Sequence, residues 1–290
     1  MTIAPPAVIA PRTDVSEAAL RVAILDDLVA SAIRRRTIPG ERLIETAELL
    51  AYASDVHSPE VNEVVRARFG ADDAADAAIE AAIGMFAGQP FLWWVGEDDT
   101  PDDLSQRLSR HGVVVLDDIP GLAMDLADLE PASAVPAPPE LEIRPVLDAP
   151  MMDAFHSVLI QGFPEDFTDS TAEVEVGASR KRVAIESDYR EPNGLPTRWL
   201  GIADGRPVTT TRLHTAVGVA GIYAVVTAAD ARRRGYGAAI TRHALQVARD
   251  GGLRIASLQA SSAGLGIYER IGFRVLCRFR LHEWRAPADR

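Results

Sequence analysis

Cys277 is the chain's one cysteine, so no internal disulfide can form and nothing in the chain asks for an oxidising compartment. Long apolar runs are missing as well. A membrane span needs roughly 18 consecutive apolar residues, and the nearest approach, residues 77–94, is broken by Glu80, Gly88, Gln89 and Pro90. Basic residues are the minority, with 30 Lys plus Arg against 42 Asp plus Glu and a net charge of -12. That balance excludes a general nucleic-acid or anionic-membrane binder, which needs a net basic face to displace counterions. It suits a cationic substrate. Residues 1–12 hold three prolines and no apolar core of the kind a signal peptide requires, which predicts a loose tail on a soluble, cytoplasmic protein. The histidines, His57, His111, His156, His214, His243 and His282, lie far apart without carboxylate or cysteine partners at ligand spacing, so no metal is expected.

What the chain does have is the composition of a folded protein, 47% hydrophobic and 25% charged, which makes disorder a poor default. Its 290 residues exceed one domain of roughly 150 and predict two. Residues 131–139, with Pro131, Pro136, Pro138 and Pro139 among small side chains, favour an extended backbone and mark the expected linker between a first domain at 13–130 and a second at 140–285. The first half reads as helices over 16–36, 44–52, 58–68 and 72–86. A strand follows at 91–95, then a helix opened by Thr100 and Pro101 and running to about His111, then a strand at 112–116. Adjacent Trp93 and Trp94 point to opposite faces of that first strand, so one is core and the other outward.

After the linker the pattern predicts a strand at 141–145, helices at 151–159 and 173–182, and three strands at 199–203, 207–213 and 219–227. Ile240, Ala244, Val247 and Ala248 recur at helical spacing and end at Gly251 and Gly252, giving an amphipathic helix with a glycine stop. A strand at 254–259, a short helix at 264–271 and a long strand at 273–284 complete a mixed α/β order. Cys277 falls mid-strand, where a small buried hydrophobe is expected rather than a nucleophile.

The chemistry concentrates between the third strand and the amphipathic helix. Arg232, Arg233, Arg234, Gly235, Tyr236 and Gly237 form a basic, glycine-containing entry to that helix. A helix start carries unpaired N–H groups and partial positive charge, so it attracts phosphate. Glycines let the backbone approach a pyrophosphate, and arginines meet its oxygens with several donors. No Gly-Lys-Ser/Thr follows, and Ile240 stands where a dinucleotide fingerprint wants glycine or alanine, which weakens both nucleotide readings. Alone, three arginines describe a solvated surface as well as a site.

About 30 residues on, the run from Ala260 through Ser261 and Tyr268 to Gly272 and Phe273 supplies a second motif. The pair, in this order and spacing, resembles the Gcn5-related N-acetyltransferase (GNAT) superfamily over roughly residues 141–284. The resemblance implies an α/β (α+β) fold with a mixed, mostly antiparallel sheet and helices on both faces. It implies acetyl-CoA as co-substrate, with the strand end at Val225, Val226 and Thr227 holding the pantetheine arm. Arg232, Arg233, Arg234, Gly235, Tyr236, Gly237, Ala238 and Ala239 would hold the pyrophosphate, and that strand would splay from the one at 254–259 to admit the thioester. Tyr268 aligns with the family tyrosine that protonates the departing thiolate as a general acid. Ser261 stands where members often carry asparagine, and keeps a hydroxyl for that hydrogen bond.

The general base is not legible. His214 and Tyr223 are candidates by position, although both also fit as strand residues packing the sheet. Glu165 and Asp166 lie in the loop where the family meets its substrate, and either attract a cationic amine or form an exposed acidic loop. The implied reaction is direct acetyl transfer to a primary amine, on a small molecule or a protein, in a ternary complex. The alternative is an acyl-CoA-binding regulatory or scaffold protein without turnover. In the first half, strand, loop, helix and strand over 91–116 resemble the same unit, with the acidic residues 96–103 where a phosphate cradle is expected. That makes the first half a degenerate, non-binding copy in a tandem arrangement, or else an unrelated helical domain.

Overall fold

The computed structural model of the chain describes residues 9–33, 42–55, 57, 59–70, 73–131, 133–161 and 193–286. Two compact units emerge, one of residues 1–27 and 122–276, the other of residues 28–121 and 277–290. The division does not fall in the proline-rich segment. Leu122, Met124, Leu126 and Leu129, all before it, pack into the core around Trp199, Leu213, Ile222 and Ile240. An extended backbone marks a connection, but burial decides which core a residue serves.

In the first of these units, β6 (Leu141–Pro145), β7 (Arg198–Ala203), β8 (Arg206–His214) and β9 (Ala220–Thr227) pair antiparallel in sequence order. The chain then crosses over through α5 (Tyr236–Asp250) to β10 (Ile255–Gln259), which lies parallel to β9. The short helix α6 (Leu265–Ile271) leads into β11 (Arg274–Trp284). Helix α5 buries Tyr236, Ile240, Thr241, Ala244, Leu245 and Ala248, the stripe expected of its spacing. Helix α4 (Ala149–Ile160) is capped by Asp148, whose carboxylate accepts from Met151 N at 2.8 Å; its Met152, Phe155, Val158 and Leu159 pack with Leu200. Helix α1 (Glu17–Ile33) opens the fold. Of the expected tail, residues 9–12 are described and held: Arg12 N donates to Gly218 O at 3.1 Å, and its guanidinium meets Asp26 at 2.6 Å.

The second unit holds β1 (Arg42–Glu45), β2 (Leu49–Ala53), β3 (Glu63–Ala67), α2 (Asp73–Met85), β4 (Phe91–Val95) and α3 (Leu104–Arg110), with part of β5 (Val114–Asp125) and of β11. Here two expected helices are overturned, since 44–52 and 58–68 contain β1, β2 and β3 with one short 3₁₀ turn, Pro59–Val61. All five residues of β2 are buried. A strand buried on both faces shows no polar alternation, and its leucines and alanines imitate a helix. Helix α3 starts at Leu104 after Asp103, not at Thr100 and Pro101; Thr100 instead bridges to Arg68. Trp93 is the core member of its pair, while Trp94 is half-buried with its ring edge-on to Phe279 at 5.9 Å. The expected strand at 112–116 is the start of the twelve-residue β5, and Cys277 is buried.

The two units repeat one order. An antiparallel run β1-β2-β3 crosses through α2 to parallel β4, then α3 and β5, just as β7-β8-β9 crosses through α5 to parallel β10, then α6 and β11. No helix among the described residues is long and apolar enough to cross a membrane.

Candidate active site

The site begins where two parallel strands part. β9 and β10 are in register only at Ala220 with Ala256 and Gly221 with Ser257. Beyond Gly221, β9 continues against β8 alone, and there its register slips: Arg212 faces Tyr223 and Thr210 faces Val226. Two residues of β9 thus oppose one of β8, a bulge that takes Ala224 to φ 52. A non-glycine residue at positive φ carries strain that its surroundings must hold, and bulges re-aim the strand beside them. The half-buried Tyr223, Val225, Val226 and Thr227 follow on the opened edge, where backbone groups no longer face β10.

Thr227 leads into the basic turn. Arg232, Arg233, Arg234 and Gly235 are all exposed. Arg232 Nε donates to Thr227 O at 3.1 Å, which ties the guanidinium to the strand end. Gly235 caps α5 at φ 83, a left-handed position, with no side chain capping the helix. Its first N–H groups are therefore left to water or to an anion. At Gly237 a Cβ would crowd Thr227 Oγ1, at 3.3 Å; Ala238 and Ala239, half-buried, complete the first turn. Tyr236 differs from its neighbours. Its side chain is buried and its hydroxyl donates to Glu140 Oε1 at 2.9 Å, and that carboxylate raises the phenol's pKa. Only its backbone serves the turn.

The second motif lies past β10. The exposed Ser261 starts the turn into α6, its carbonyl accepting from Gly264 N and Leu265 N. Tyr268, half-buried, packs edge-on to Phe273 at 6.1 Å. Gly264 makes room for its ring, since a Cβ there would sit 3.0 Å from Tyr268 Cε2. Burial pushes the phenol up to about 12, so it keeps its proton at neutral pH.

His214 and Tyr223 come together on a group that sequence reasoning missed, Asp27 of α1. Tyr223 Oη donates to Asp27 Oδ2 at 2.7 Å, Ser257 Oγ donates to the same oxygen at 2.8 Å, and His214 Nδ1 lies 3.2 Å from Oδ1. The signal was present, because Asp27 interrupts the apolar stripe of Leu20, Ala23, Ile24 and Leu28 at helical spacing. Glu165 and Asp166 lie outside the described residues.

Residues 201–276 match the family model described as the acetyltransferase (GNAT) domain. The structure is similar along most of its length to a GCN5-related N-acetyltransferase from Kribbella flavida, with 23% identity, 91% of this chain and 95% of that one covered, and a TM-score of 0.65. A GCN5-related N-acetyltransferase from Sphaerobacter thermophilus is similar at 18% identity, 95% and 94% coverage and a TM-score of 0.61. A tandem GNAT protein from the clavulanic acid biosynthesis pathway is similar at 14% identity, 96% and 98% coverage and a TM-score of 0.55. No curated protein shows a significant sequence match. The class is that of an acyltransferase: strands β7 to β10, with the helices between and after them, form a GNAT domain. The chain as a whole has the fold of GNAT N-acetyltransferases, a tandem member among them.

The repeat corrects the expected place of the N-terminal cradle. The turn equivalent to 228–235 is the one between β3 and α2, not the acidic residues 96–103 between β4 and α3. Reading 58–68 as helix hid β3 and shifted the alignment by one crossover. At the equivalent parting of β3 and β4, the chain fills its own gap: Asp99 accepts from Ala67 N and Gly96 N, each at 2.7 Å, and Thr100 N donates to Ala67 O at 3.0 Å. Burial raises Asp99 to about 6.

Proposed function

We propose that the protein is an acetyl-CoA-dependent N-acetyltransferase that moves the acetyl group to a primary amine by direct attack in a ternary complex. The observation that carries this is the uncapped start of α5, under Arg232, Arg233 and Arg234, at the end of a strand that has parted from its parallel neighbour. The residues present fit the co-substrate. The bare helix start and exposed guanidiniums suit a pyrophosphate. The open edge of Val225, Val226 and Thr227 suits the amides of a pantetheine arm. Bound there, acetyl-CoA supplies the activated acyl group, and the protein's own contribution is to hold donor and acceptor side by side. Tyr268, kept protonated by burial, acts as general acid toward the departing thiolate, and Ser261 lies at the turn before it. The amine's carrier is a small molecule or a protein.

The N-terminal unit is proposed as a degenerate copy that binds no CoA. Its own backbone and the half-buried Asp99 bond into the gap that would correspond to the thioester cleft, and a carboxylate there repels phosphate.

Titration calorimetry with acetyl-CoA, followed by thiol release across a panel of primary amines, tests the reading. Binding at one site with turnover of an amine is expected. Binding without turnover of any amine would assign the chain to the acyl-CoA-binding regulatory class instead, and normal binding by Arg232→Ala and Gly237→Glu variants would overturn the cradle.

A further inference from the structure

Strand β10 outruns its parallel neighbour. Its last residue paired with β9 is Ser257, opposite Gly221, and it continues through Leu258 to Gln259 while β9 turns into its bulge. Gln259 therefore flanks the parting from one side, as the half-buried Tyr223 does from the other. Ala256, Leu258 and Ala260 belong to the core under α5, so strand alternation turns Ser257 and Gln259 to the opposite face. Ser257 fixes that face, because its hydroxyl donates to the buried Asp27 of α1 at 2.8 Å; a Cβ at Gly221 would collide with the same carboxylate. A buried carboxylate needs such donors, and Asp27 is met by Tyr223 and Ser257, with His214 beside it. Gln259 is left out of this cluster. Its amide nitrogen is buried and has no hydrogen-bond partner among the described residues, which leaves the two donors of a primary amide unmet. His214 Nε2 is unpartnered too, but it belongs to a wholly buried side chain opposite Gly221, where β9 and β10 are still paired.

We propose that Gln259 is a catalytic residue of the transfer, its Nε2 donating to the thioester carbonyl oxygen and stabilising the charge that gathers there. The proposal rests on the transferase reading above. A buried donor without a partner is costly, and an acceptor oxygen entering the gap removes that cost. The thioester carbonyl is such an acceptor. When the amine nitrogen bonds the carbonyl carbon, the C=O electron pair moves onto that oxygen, and a donor already held in a buried place meets the charge without reorganisation. The pair returns as the C–S bond breaks. The thiolate takes the Tyr268 proton, the surplus proton of the amine leaves to solvent, and solvent restores the proton of Tyr268. Gln259 itself forms no covalent bond and moves no proton, so no further reactant is needed.

The test compares wild type with Gln259→Leu and with Gln259→Glu, which keeps the shape and lacks the N–H groups. Three quantities are read: CoA and acetyl-CoA affinity by calorimetry, the infrared stretch of bound acetyl-CoA isotope-labelled at the acetyl carbonyl, and kcat with the amine turned over best. In wild type the carbonyl stretch should lie below that of free acetyl-CoA, and in both variants it should return toward the free value. Acetyl-CoA affinity should fall by about 10-fold in Gln259→Leu, the upper end for a neutral hydrogen bond, while CoA, which lacks the carbonyl, binds as it does to wild type. Loss in kcat should reach about 10²- to 10³-fold, the scale of one missing oxyanion donor. Equal losses for CoA and acetyl-CoA would make Gln259 a structural residue or a pantetheine contact and overturn the proposal, as would a wild-type stretch that matches free acetyl-CoA. Should Gln259→Leu not fold, Gln259→Glu decides, and an unchanged acetyl-CoA affinity and carbonyl stretch there refutes the proposal. Wild type that turns over an amine while the variants match it refutes the role of Gln259 alone. Wild type that binds acetyl-CoA and acetylates nothing refutes the transferase reading and the role of Gln259 in it.

Discussion

In the proposed reaction Tyr268 has a single task, to hold a proton until the thiolate leaves. Its ring rests against the bare Gly264 and the edge of Phe273, and burial pushes its pKa up to about 12. Tyr268→Phe keeps the ring and removes the proton. We expect acetyl-CoA affinity to be retained and thiol release to slow by about 10²-fold, within the range for a lost general acid, as read by calorimetry and a thiol-trapping assay. The sign of the pKa shift adds a second outcome. A phenol that loses its proton only near 12 leaves no Tyr268-dependent fall in rate between neutral pH and that value, so a basic limb seen below it must persist in Tyr268→Phe. Both motifs were readable in the sequence through their resemblance to the family. The direction of Tyr223 was not, because its partner Asp27 lies 196 positions away.

Helix α5 has the next larger task in the proposed reading, offering a bare N-terminus to an anion. Gly235 holds φ 83, and any residue with a Cβ meets a cost of roughly 1–2 kcal/mol in that left-handed region. Gly235→Ala should lower unfolding stability by about that amount in urea titrations and weaken acetyl-CoA binding as the turn shifts. Arg232 is fastened to the strand end through Thr227 O, so its remaining donors are held in place for an anion. Arg232→Ala should cost about 1.5–3 kcal/mol of acetyl-CoA affinity, the worth of a hydrogen bond to a charged group. That is roughly 10- to 100-fold in Kd, and the difference from wild type should shrink at high salt. Helix α5, with its apolar stripe, and β7 to β9, set off by the turn at Asp204 and Gly205, were legible in the sequence. Strands β1 to β3 were not, since β2 is buried throughout and shows no alternation.

Across the whole molecule, one order of elements occurs twice with opposite treatment of the central gap. In the C-terminal copy the strands part and the turn beyond is basic; in the N-terminal copy Asp99 and Thr100 bond into the parting. Asp99 binds its proton more tightly in the folded state, at about 6 against an ordinary 3.8. Stability therefore falls as pH rises from about 3.8 toward 6, because over that window the native state holds the proton that the unfolded chain has lost. The contribution is at most about 3 kcal/mol for a shift of this size. The Asp99→Asn variant should lack that slope, so the stability difference between wild type and variant should change across the window by the Asp99 contribution, while acetyl-CoA binding at the C-terminal half stays unchanged. A second CoA appearing in the Asp99→Asn stoichiometry would show that the carboxylate alone blocks the first copy.

Arg232 to Gly237 and Ala260 to Phe273 determined the family resemblance and the basic turn into the helix from sequence alone, because a helix start and a tight turn are set by neighbours a few residues apart. The tertiary structure decided the rest. It drew residues on either side of the proline-rich segment into one core, revealed β3 and so the true register of the repeat, and brought Asp27 under Gly221. Those outcomes depend on burial between segments far apart in the chain, and neither periodicity nor composition records which segments will meet.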